Sequence, residues 1–462
     1  MIKFLFLDSW TLEEVRGFER RMGQPVKYAG NPIFRPERPY EYKRVHLYGT
    51  VLRDPESGRF KMWYSTHALK QSDAYLCYAT SEDGVHWTRP DLDVVEGTNI
   101  VLDREEHTHG PSVLYDGDDP DASRRYKLLM RPGGVPAIFA YLSPDGIHWR
   151  KAQEAPVIEA NSDCHIGLYR DPHTGLYQAS HRLDCPDRRV WRTESEDFLH
   201  WRRSVLALEP DVGDPPQTQI YGMQMSPYGN FIMGWVSMFN TRVSDFGWSK
   251  MQGTMDVQLA HSRDGYCWHR TALGERFIPL GEEGSWEAQL VIPSTAPVLL
   301  DEEIRFYYSA APYPHGGPSD TEEECIGMAS LRIDGFVSLR AGEGMGELCT
   351  RPFALREPEI FVNADASEGE VKVEVCERSG GPIEGFGFGD CRPIHGNGVA
   401  QRGVWADGAD SSRIVKRPIR LRVRARCADL YSIWMPNGDE NPPYWRFREI
   451  GCLNPMRDLE RA

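Results

Sequence analysis

The chain has 462 residues, of which 40% are hydrophobic and 11% are aromatic. This is enough apolar material for a large buried core, so the composition excludes a disordered or fibrous protein, and the length predicts two domains. The formal net charge of −15 argues against nucleic acid as a partner, because a phosphate backbone is bound by a cationic surface.

Two further features bear on the cellular compartment. The ten cysteines are scattered without CxxC pairs, which is typical of reduced thiols rather than of a disulfide framework. The opening stretch MIKFLFLDSW holds an apolar run too short for a signal peptide, and no stretch approaches the ~18 apolar residues of a membrane span. We therefore expect a cytoplasmic protein without a membrane partner, and the oligomeric state stays open.

The first predicted element is a short helix. Thr11 is followed three residues later by Glu14, which is the spacing of a capping box, and Val15, Phe18 and Met22 follow at helical intervals. After this segment, few stretches have the spacing of apolar residues that predicts a helix.

One phrase then recurs along most of the chain. It reads SEDGVHW, SPDGIHW, SEDFLHW and SRDGYCW, with a weaker IDGFVSL (81–87, 143–149, 195–201, 262–268 and 333–339). A spacing of about 60 residues is that of a supersecondary unit rather than of one helix or strand. We interpret the aspartate as the acceptor for turn N–H groups, the glycine as relaxing the turn, and the tryptophan as filling the gap between neighbouring units. These aspartates are therefore not catalytic candidates.

Short runs rich in valine, isoleucine and aromatic residues lie between these phrases, separated by turns such as RDPESG (53–58) and RDPHTG (170–175). Such runs predict antiparallel strands joined by hairpins. Four strands in each repeat are typical of one propeller blade. The sequence therefore predicts an all-β protein in which residues 1–340 form a five-bladed β-propeller, including the short N-terminal helix.

The pattern changes beyond residue 340. Longer alternating strands without the recurring turn predict a β-sandwich, so that the second domain spans residues 341–462 and ends in an irregular tail. Its basic run RPIRLRVRAR (417–426) alternates arginine with small or apolar residues, which favours a half-buried strand over an anion site.

Inner strands of all blades converge on one axial funnel, so polar residues that precede inner strands are the candidates for a functional site. Three carboxylates have this position: Glu41, Asp163 and Glu287. Aromatic or histidine residues adjoin each of them, a mixture that suits a sugar. Carboxylates that flank a glycosidic bond can serve as acid and base or as acid and nucleophile.

We also expect a set of polar and aromatic residues near the inner strands to contact the substrate. They are His46, His109, Arg131, His165, Tyr221, Gln224, Trp286, Gln289 and His315. His107 and His109 could share one strand face and bind a metal, but the sequence offers no third ligand at a useful spacing. We therefore predict no cofactor, with a structural divalent cation in the funnel as an open alternative.

The S-x-D-G-x-x-W turns, the NPIF segment (31–34), the RDP triplet (170–172) and the C-terminal strands resemble the five-bladed propeller glycoside hydrolases. These are the invertase-like family 32 and the arabinanases and xylosidases of family 43, with the mannoside phosphorylases of family 130 more distant. Literal matches to invertase motifs occur at Asp171, which we interpret as part of a hairpin turn, and at Glu324 with Cys325, which no aromatic residue adjoins. The W-M-N-D-P-N-G nucleophile motif of that family has no counterpart.

In terms of family 43, the resemblance assigns the three catalytic positions to Glu41, Asp163 and Glu287. It implies a glycoside hydrolase that acts on a furanoside or a short oligosaccharide, with Glu287 as general acid, Asp163 as stabilising group and Glu41 as base or nucleophile. Two alternatives stay open. One is a phosphorylase or transglycosidase of the same fold, which a cluster of Arg, Lys and His in the funnel would favour. The other is a carbohydrate-binding propeller without catalysis.

Overall fold

A computed structural model describes residues 2–66, 74–102, 108–183, 187–241, 252–317, 322–406 and 409–436. The chain divides into two compact units, one of Gln24–Arg332 and one that combines Met1–Gly23 with Ile333–Ala462. Within the described ranges the only helical elements are three short 3-10 turns, at Pro39–Glu41, Ala122–Arg124 and Ser411–Ile414. The predicted all-β fold is confirmed.

The N-terminal segment forms strands instead of the predicted helix. It contains β1 (Ile2–Leu5), β2 (Leu12–Arg16), β3 (Phe18–Met22) and β4 (Val26–Lys27). β2 pairs with Gly346–Thr350, and β3 pairs with Val337–Ala341. The helix prediction is wrong because a capping-box pattern over a dozen residues is a weak local preference, which pairing with distant strands overrides.

The unit Gln24–Arg332 consists of five successive groups of antiparallel strands. Blade one contains β5 (Val45–Arg53), β6 (Phe60–Thr66), β7 (Leu76–Ser81) and β8 (Ile100–Leu102). Blade two contains β9 (Thr108–Tyr115), β10 (Tyr126–Pro132), β11 (Phe139–Ser143) and β12 (Arg150–Lys151). Blade three contains β13 (Gly167–Arg170), β14 (Tyr177–His181), β15 (Val190–Ser195) and β16 (Val205–Leu208).

The last two blades follow the same plan. Blade four contains β17 (Thr218–Tyr228), β18 (Phe231–Thr241), β19 (Gly253–Ser262) and β20 (Trp268–Arg270). Blade five contains β21 (Leu290–Pro293), β22 (Val298–Leu299), β23 (Glu303–Ala311) and β24 (Cys325–Arg332). A single parallel bridge between Met255 and Leu290 joins the two blades. The five-bladed β-propeller predicted from the sequence is confirmed.

Blade five takes its outermost strand from the segment before blade one. In β4, Val26 pairs with Ser330 and Lys27 with Ala329 of β24. The weak repeat IDGFVSL is therefore not the turn of a fifth blade, because its residues lie beyond the last propeller strand, in the other unit.

The full copies of the recurring phrase form one repeated turn. In the first copy, Asp83 Oδ1 accepts hydrogen bonds from the N–H groups of Val85 and His86, both at 2.8 Å, and the Ser81 hydroxyl donates to the same oxygen. The second, third and fourth copies repeat these bonds. The predicted role of the aspartates in the turn is confirmed.

The tryptophans of the phrases fill the gaps between blades. Trp87 of blade one lies edge-on against Tyr307 of blade five, with ring centroids 6.0 Å apart. Trp149, Trp201 and Trp268 pack into the apolar clusters that join blades one and two, two and three, and three and four. This confirms the predicted packing role.

The second unit contains the remaining strands. They are β25 (Val337–Ala341), β26 (Gly346–Thr350), β27 (Phe353–Ala354), β28 (Phe361–Glu377), β29 (Ile394–Arg402), β30 (Pro418–Arg426) and β31 (Ala428–Met435). With β1 to β3 they form one ten-stranded sheet. β28 pairs with β31 through its first half and with β30 through its second half, so it joins two parts of the sheet.

The two parts of this sheet face each other. Phe4 of β1, which pairs with β31, meets Phe353 of β27, which pairs with β30, with ring centroids 5.0 Å apart. The unit is therefore layered as in the predicted β-sandwich. The predicted boundary at residues 340 and 341 falls inside β25, whereas the units divide after Gly23 and after Arg332. The reason is that β3 pairs with β25, which brings the chain's first strands into this unit.

The basic run also has the predicted form. Leu421 and Val423 of β30 are fully buried, while Arg422 between them is partly exposed and forms ion pairs with Glu347 and Glu374. The eight described cysteines are free thiols. No helix in the described ranges is long and apolar enough to cross a membrane. The predicted tail lies outside the described residues.

Candidate functional site

Hydrogen bonds between four blades close the propeller axis midway along the inner strands. Thr295, which follows β21, accepts a hydrogen bond from the Thr50 hydroxyl at 3.0 Å and lies 3.0 Å from both Ser112 Oγ and His165 Nε2. The Gly49 N–H donates to the same imidazole nitrogen at 3.1 Å. These contacts divide the axial region into two ends.

One end holds a cavity of about 620 Å³, which lies where the inner strands finish and the hairpins begin. Its buried carboxylate, Asp116, already forms ion pairs with Lys127 and Arg170 and accepts a hydrogen bond from the Tyr177 hydroxyl. The charged groups at this end therefore hold blades together, and we place the candidate site at the other end.

The other end, where the inner strands begin, brings together a cluster of aromatic and histidine rings, which we call the funnel. Tyr48 of β5 stacks on His165, with centroids 5.3 Å apart. The same ring meets His46 and His109 edge-on, with centroids 4.0 and 6.0 Å away. Three predicted substrate-binding histidines, from blades one, two and three, therefore surround one tyrosine.

A basic wall adjoins these rings. Arg182, which follows β14, forms an ion pair with Asp163, and His109 Nε2 lies 2.8 Å from the backbone oxygen of Asp163. The Arg182 guanidinium lies 4.8 Å from the centroid of the Tyr221 ring, and Arg188 lies 5.6 Å from the same centroid. The structure thus brings the predicted Asp163 and Tyr221 together with two arginines.

The rim of the funnel continues at His315. Its Nε2 lies 3.3 Å from the Tyr221 hydroxyl, and its ring packs against Phe239 with centroids 4.9 Å apart. A backbone bridge to Gly253 of blade four positions the loop that carries His315. The predicted residues Tyr221 and His315 therefore contact each other directly.

A second carboxylate enters the funnel from blade five. Glu324 precedes β24, and its Oε1 is hydrogen-bonded to His46 Nδ1. The Tyr313 hydroxyl donates to Glu324 Oε2 at 3.4 Å. Glu324 and His46 are both buried. A carboxylate bound to Nδ1 fixes the orientation of an imidazole ring.

Burial sets the protonation of two funnel histidines. It lowers the pKa of His165 to about 3 and the pKa of His109 to about 4, and the positive charge of Arg131 acts in the same direction on His109. Both rings are therefore neutral at pH 7. Burial raises the pKa of the Tyr48 phenol well above its ordinary value, so Tyr48 offers a neutral hydroxyl.

Glu41 lies in the core of blade one. It is fully buried, and its Oε1 accepts hydrogen bonds from the Tyr64 hydroxyl at 2.6 Å and from Arg89 Nε at 2.7 Å. Its Oε2 accepts from the N–H groups of Glu37 and Arg38. Both carboxylate oxygens are engaged, so the predicted role as base or nucleophile does not fit this geometry. The sequence placed Glu41 correctly before an inner strand, but its side chain turns into the core.

Glu287 and Trp286 lie on the flank of blade five. Glu287 Oε1 is 3.0 Å from Lys27 Nζ on β4, and its Oε2 accepts a hydrogen bond from the Tyr308 hydroxyl at 2.8 Å. Trp286 stacks on Tyr308 with centroids 6.1 Å apart. Because β4 is the outermost strand of this blade, the predicted role of Glu287 as general acid on the axis has no support in its position.

Three predicted residues remain. Gln224 is buried and donates to the backbone oxygen of His165 at 3.3 Å, so it joins blades three and four. Arg131 faces His109 across the β9–β10 pair and adjoins the funnel. Gln289 is held through its backbone at the start of β21.

Sequence reasoning missed three residues of the funnel and gave too little weight to a fourth, Glu324. Arg182 and Arg188 lie in the basic stretch HRLDCPDRR (181–189), a local signal that could have been used. Tyr48 lies two residues after His46 on the same strand face, which also gives a signal. Glu324 carried a family-like motif, but the aromatic Tyr313 beside it is close only in the folded chain.

Within the part of the chain that the structure describes, no group of three or more histidine, cysteine, aspartate or glutamate side chains has the arrangement of a metal site. The suggested metal ligand His107 lies outside the described residues.

The chain matches no family model and no curated protein. Solved structures of similar fold include an N-acetylgalactosamine deacetylase from F. plautii, with 15% identity and a TM-score of 0.47, covering 70% of this chain and 97% of that one. A beta-1,2-mannobiose phosphorylase from Listeria innocua has 12% identity and a TM-score of 0.48, with 67% and 97% coverage. An alpha-L-arabinofuranosidase from Podospora anserina has 12% identity and a TM-score of 0.46, with 67% and 97% coverage. At these identities the similarity concerns the fold alone.

Proposed function

We propose that the funnel binds a carbohydrate and cleaves its glycosidic bond. The observation that carries this proposal is the convergence of two carboxylates, Asp163 and Glu324, on one funnel lined by tyrosine, histidine and arginine. Aromatic rings pack against the apolar faces of sugars, while imidazole and guanidinium groups bind hydroxyls. A carboxylate together with a proton donor held in place by a second carboxylate can break a glycosidic bond by acid–base catalysis.

The two carboxylates suit different tasks. The Asp163 side chain is 58% exposed and forms an ion pair with Arg182. An accessible carboxylate beside a guanidinium suits the role of base or nucleophile. Glu324 is buried against His46, so we assign proton delivery to the leaving oxygen to His46, with Glu324 as its positioning residue.

The test is a comparison of Asp163→Asn and His46→Gln with the wild type on a panel of aryl pyranosides and furanosides. We expect each variant to lose about 100-fold to 10,000-fold in kcat/KM, which is the usual contribution of acid–base catalysis. Glu287→Gln is the matched control, because Glu287 lies on the flank of blade five. It should retain activity within a few-fold.

Two outcomes would contradict the proposal. Loss of activity in Glu287→Gln with full activity in Asp163→Asn would return the catalytic role to Glu287, the general acid predicted from the sequence. Binding of oligosaccharides without turnover of any glycoside would favour a carbohydrate-binding propeller.

Phosphorolysis is the second candidate, because Arg131, Arg182 and Arg188 adjoin the funnel. A guanidinium is well suited to bind phosphate. The two reactions are separated by their products, which are a free sugar in hydrolysis and a sugar phosphate in phosphorolysis.

A further inference from the structure

Two guanidinium groups approach the same aromatic ring in the funnel. Arg182 and Arg188 lie over the same Tyr221 ring, at 4.8 and 5.6 Å from its centroid, and Arg188 also lies 5.2 Å from the centroid of Phe239. Such a concentration of positive charge in a chain of net charge −15 is costly, since like charges repel and buried charges lose hydration.

The Arg182 guanidinium is incompletely satisfied within the described part of the chain. Its side chain is 7% exposed, and its Nη2 pairs with Asp163. Its Nη1 is buried, with no hydrogen-bond partner among the described residues. A buried N–H donor without an acceptor costs free energy, which a bound acceptor recovers.

The surroundings add to this electrostatic cost. Burial lowers the pKa of the Arg182 guanidinium, and the positive charge of Arg188 acts in the same direction. Arg188 itself donates to the neutral side-chain oxygen of Gln219 at 2.9 Å. A bound anion in contact with both guanidiniums would offset the cost of burying Arg182 and its repulsion by Arg188.

A hydroxyl and an imidazole adjoin the two guanidiniums. The Tyr221 hydroxyl and His315 Nε2 lie 3.3 Å apart at the rim. A hydroxyl and an imidazole beside two guanidiniums match the several acceptor oxygens of a carboxylate, sulfate or phosphate group.

We infer that Arg182, Arg188, Tyr221 and His315 form a subsite for an oxyanion. The oxyanion is either an anionic group on the sugar or free inorganic phosphate, and the inference rests on the proposed function. In the second case a phosphate oxygen forms a bond to the anomeric carbon while the glycosidic C–O bond breaks. The proton lost by the phosphate balances the proton gained by the leaving oxygen.

The first experiment measures binding without turnover. Inorganic phosphate and sulfate are titrated into the full chain by calorimetry at constant ionic strength, with chloride as the reference anion. We expect saturable binding that Arg188→Gln weakens by about 10-fold to 100-fold, the usual loss for a charge-assisted hydrogen bond. Arg188→Lys, which keeps the charge, should be affected less.

Arg53→Gln is the matched control, because Arg53 lines the cavity at the opposite end of the axis. It should bind phosphate as the wild type does. Thermal unfolding shows whether each variant is folded, and Arg188→Lys provides the comparison if Arg188→Gln is not. Absence of saturable phosphate and sulfate binding, or equal binding by the wild type and the folded Arg188 variants, would overturn the inference.

The second experiment identifies the source of the oxyanion. Dependence of glycoside cleavage on phosphate, with a sugar phosphate as product, supports free phosphate. Preference for an aryl glucuronide over the matching aryl glucoside, with phosphate as a competitive inhibitor, supports an anionic sugar. Phosphate binding without cleavage of any glycoside would support the subsite and refute the proposed function. Cleavage of neutral glycosides without anion binding would refute the subsite and support the proposed function.

Discussion

His165 of blade three and Thr295 of blade five meet on the propeller axis, with the imidazole Nε2 3.0 Å from the hydroxyl oxygen, although 130 residues separate them in the chain. Thr50 of blade one donates to the same hydroxyl oxygen. All three residues are buried. Removing one partner therefore leaves other polar groups without hydrogen bonds in a place that water does not reach.

Thr295→Val tests this contact. The substitution keeps the shape of the side chain and removes the hydroxyl, so the Thr50 hydroxyl loses its acceptor and the His165 ring loses a neighbour. We expect the free energy of unfolding to fall by about 1 to 3 kcal/mol. Urea unfolding followed by tryptophan fluorescence measures it, and an unchanged midpoint would show that the axis is held by packing alone.

His165 also predicts a dependence of stability on pH. Its pKa is about 3 in the folded chain, against an ordinary value of 6.5. Below pH 6.5 the unfolded chain binds a proton that the folded chain does not, so this residue makes the protein less stable as the pH falls. Between pH 7.5 and 5 the loss is on the order of 2 kcal/mol.

The measurement compares the urea midpoints of the wild type and His165→Gln at both pH values. Titrating groups other than residue 165 are shared by both chains, so the difference between the two slopes reports on this histidine. We expect the shallower slope in His165→Gln. Parallel slopes would mean that the imidazole is charged, or solvated, in the folded state.

Glu41→Gln separates stability from catalysis. Glu41 is fully buried and paired with Arg89, so neutralising it removes the buried partner of a buried positive charge. Arg89 keeps its ion pair with the exposed Glu37, so we expect a loss of about 1 to 3 kcal/mol in unfolding free energy and an unchanged kcat for the folded fraction. Glu303→Gln, which removes a half-exposed ion pair with Arg305, is the control for stability. A large fall in kcat at full stability would restore the catalytic role predicted from the sequence.

Asp145→Ala tests the recurring turn. Asp145 Oδ1 accepts hydrogen bonds from the N–H groups of Ile147 and His148, and its Oδ2 is bound to the ring of His148. We expect a loss of about 1 to 2 kcal/mol in unfolding free energy with activity unchanged. Differential scanning calorimetry and the glycoside assay measure the two effects, and inactivation without destabilisation would give this aspartate a role in the site.

The blades were predictable because each one repeats the same local chemistry. The turn at Asp83 satisfies its own backbone through neighbours two and three residues away, so its structure follows from a short stretch of sequence. The strands around it either alternate apolar and polar residues or are apolar throughout, and both patterns can be recognised in a short stretch of sequence. The N-terminal strands were not predictable in this way, because β2 and β3 depend on partners more than 300 residues distant.

The funnel was only partly predictable. Asp163, His46, His109 and His165 lie before or within inner strands, a position that the repeat fixes. The direction of each side chain depends on tertiary contacts, and here the inference from position failed for Glu41, which turns towards Arg89. The pairing of Glu324 with His46 joins the last blade to the first, so no local sequence pattern predicts it.

The pairing of β4 with β24 has a consequence for synthesis of the chain on the ribosome. Lys27 emerges early, but Ala329, the residue it pairs with, is made only after all five blades have begun to form. β4 and the side of blade one that packs against blade five therefore stay without their partners until about 70% of the chain has been translated. A pause or truncation before residue 332 would release an open arc of blades, and such an arc is the form in which we expect this protein to be captured by chaperones.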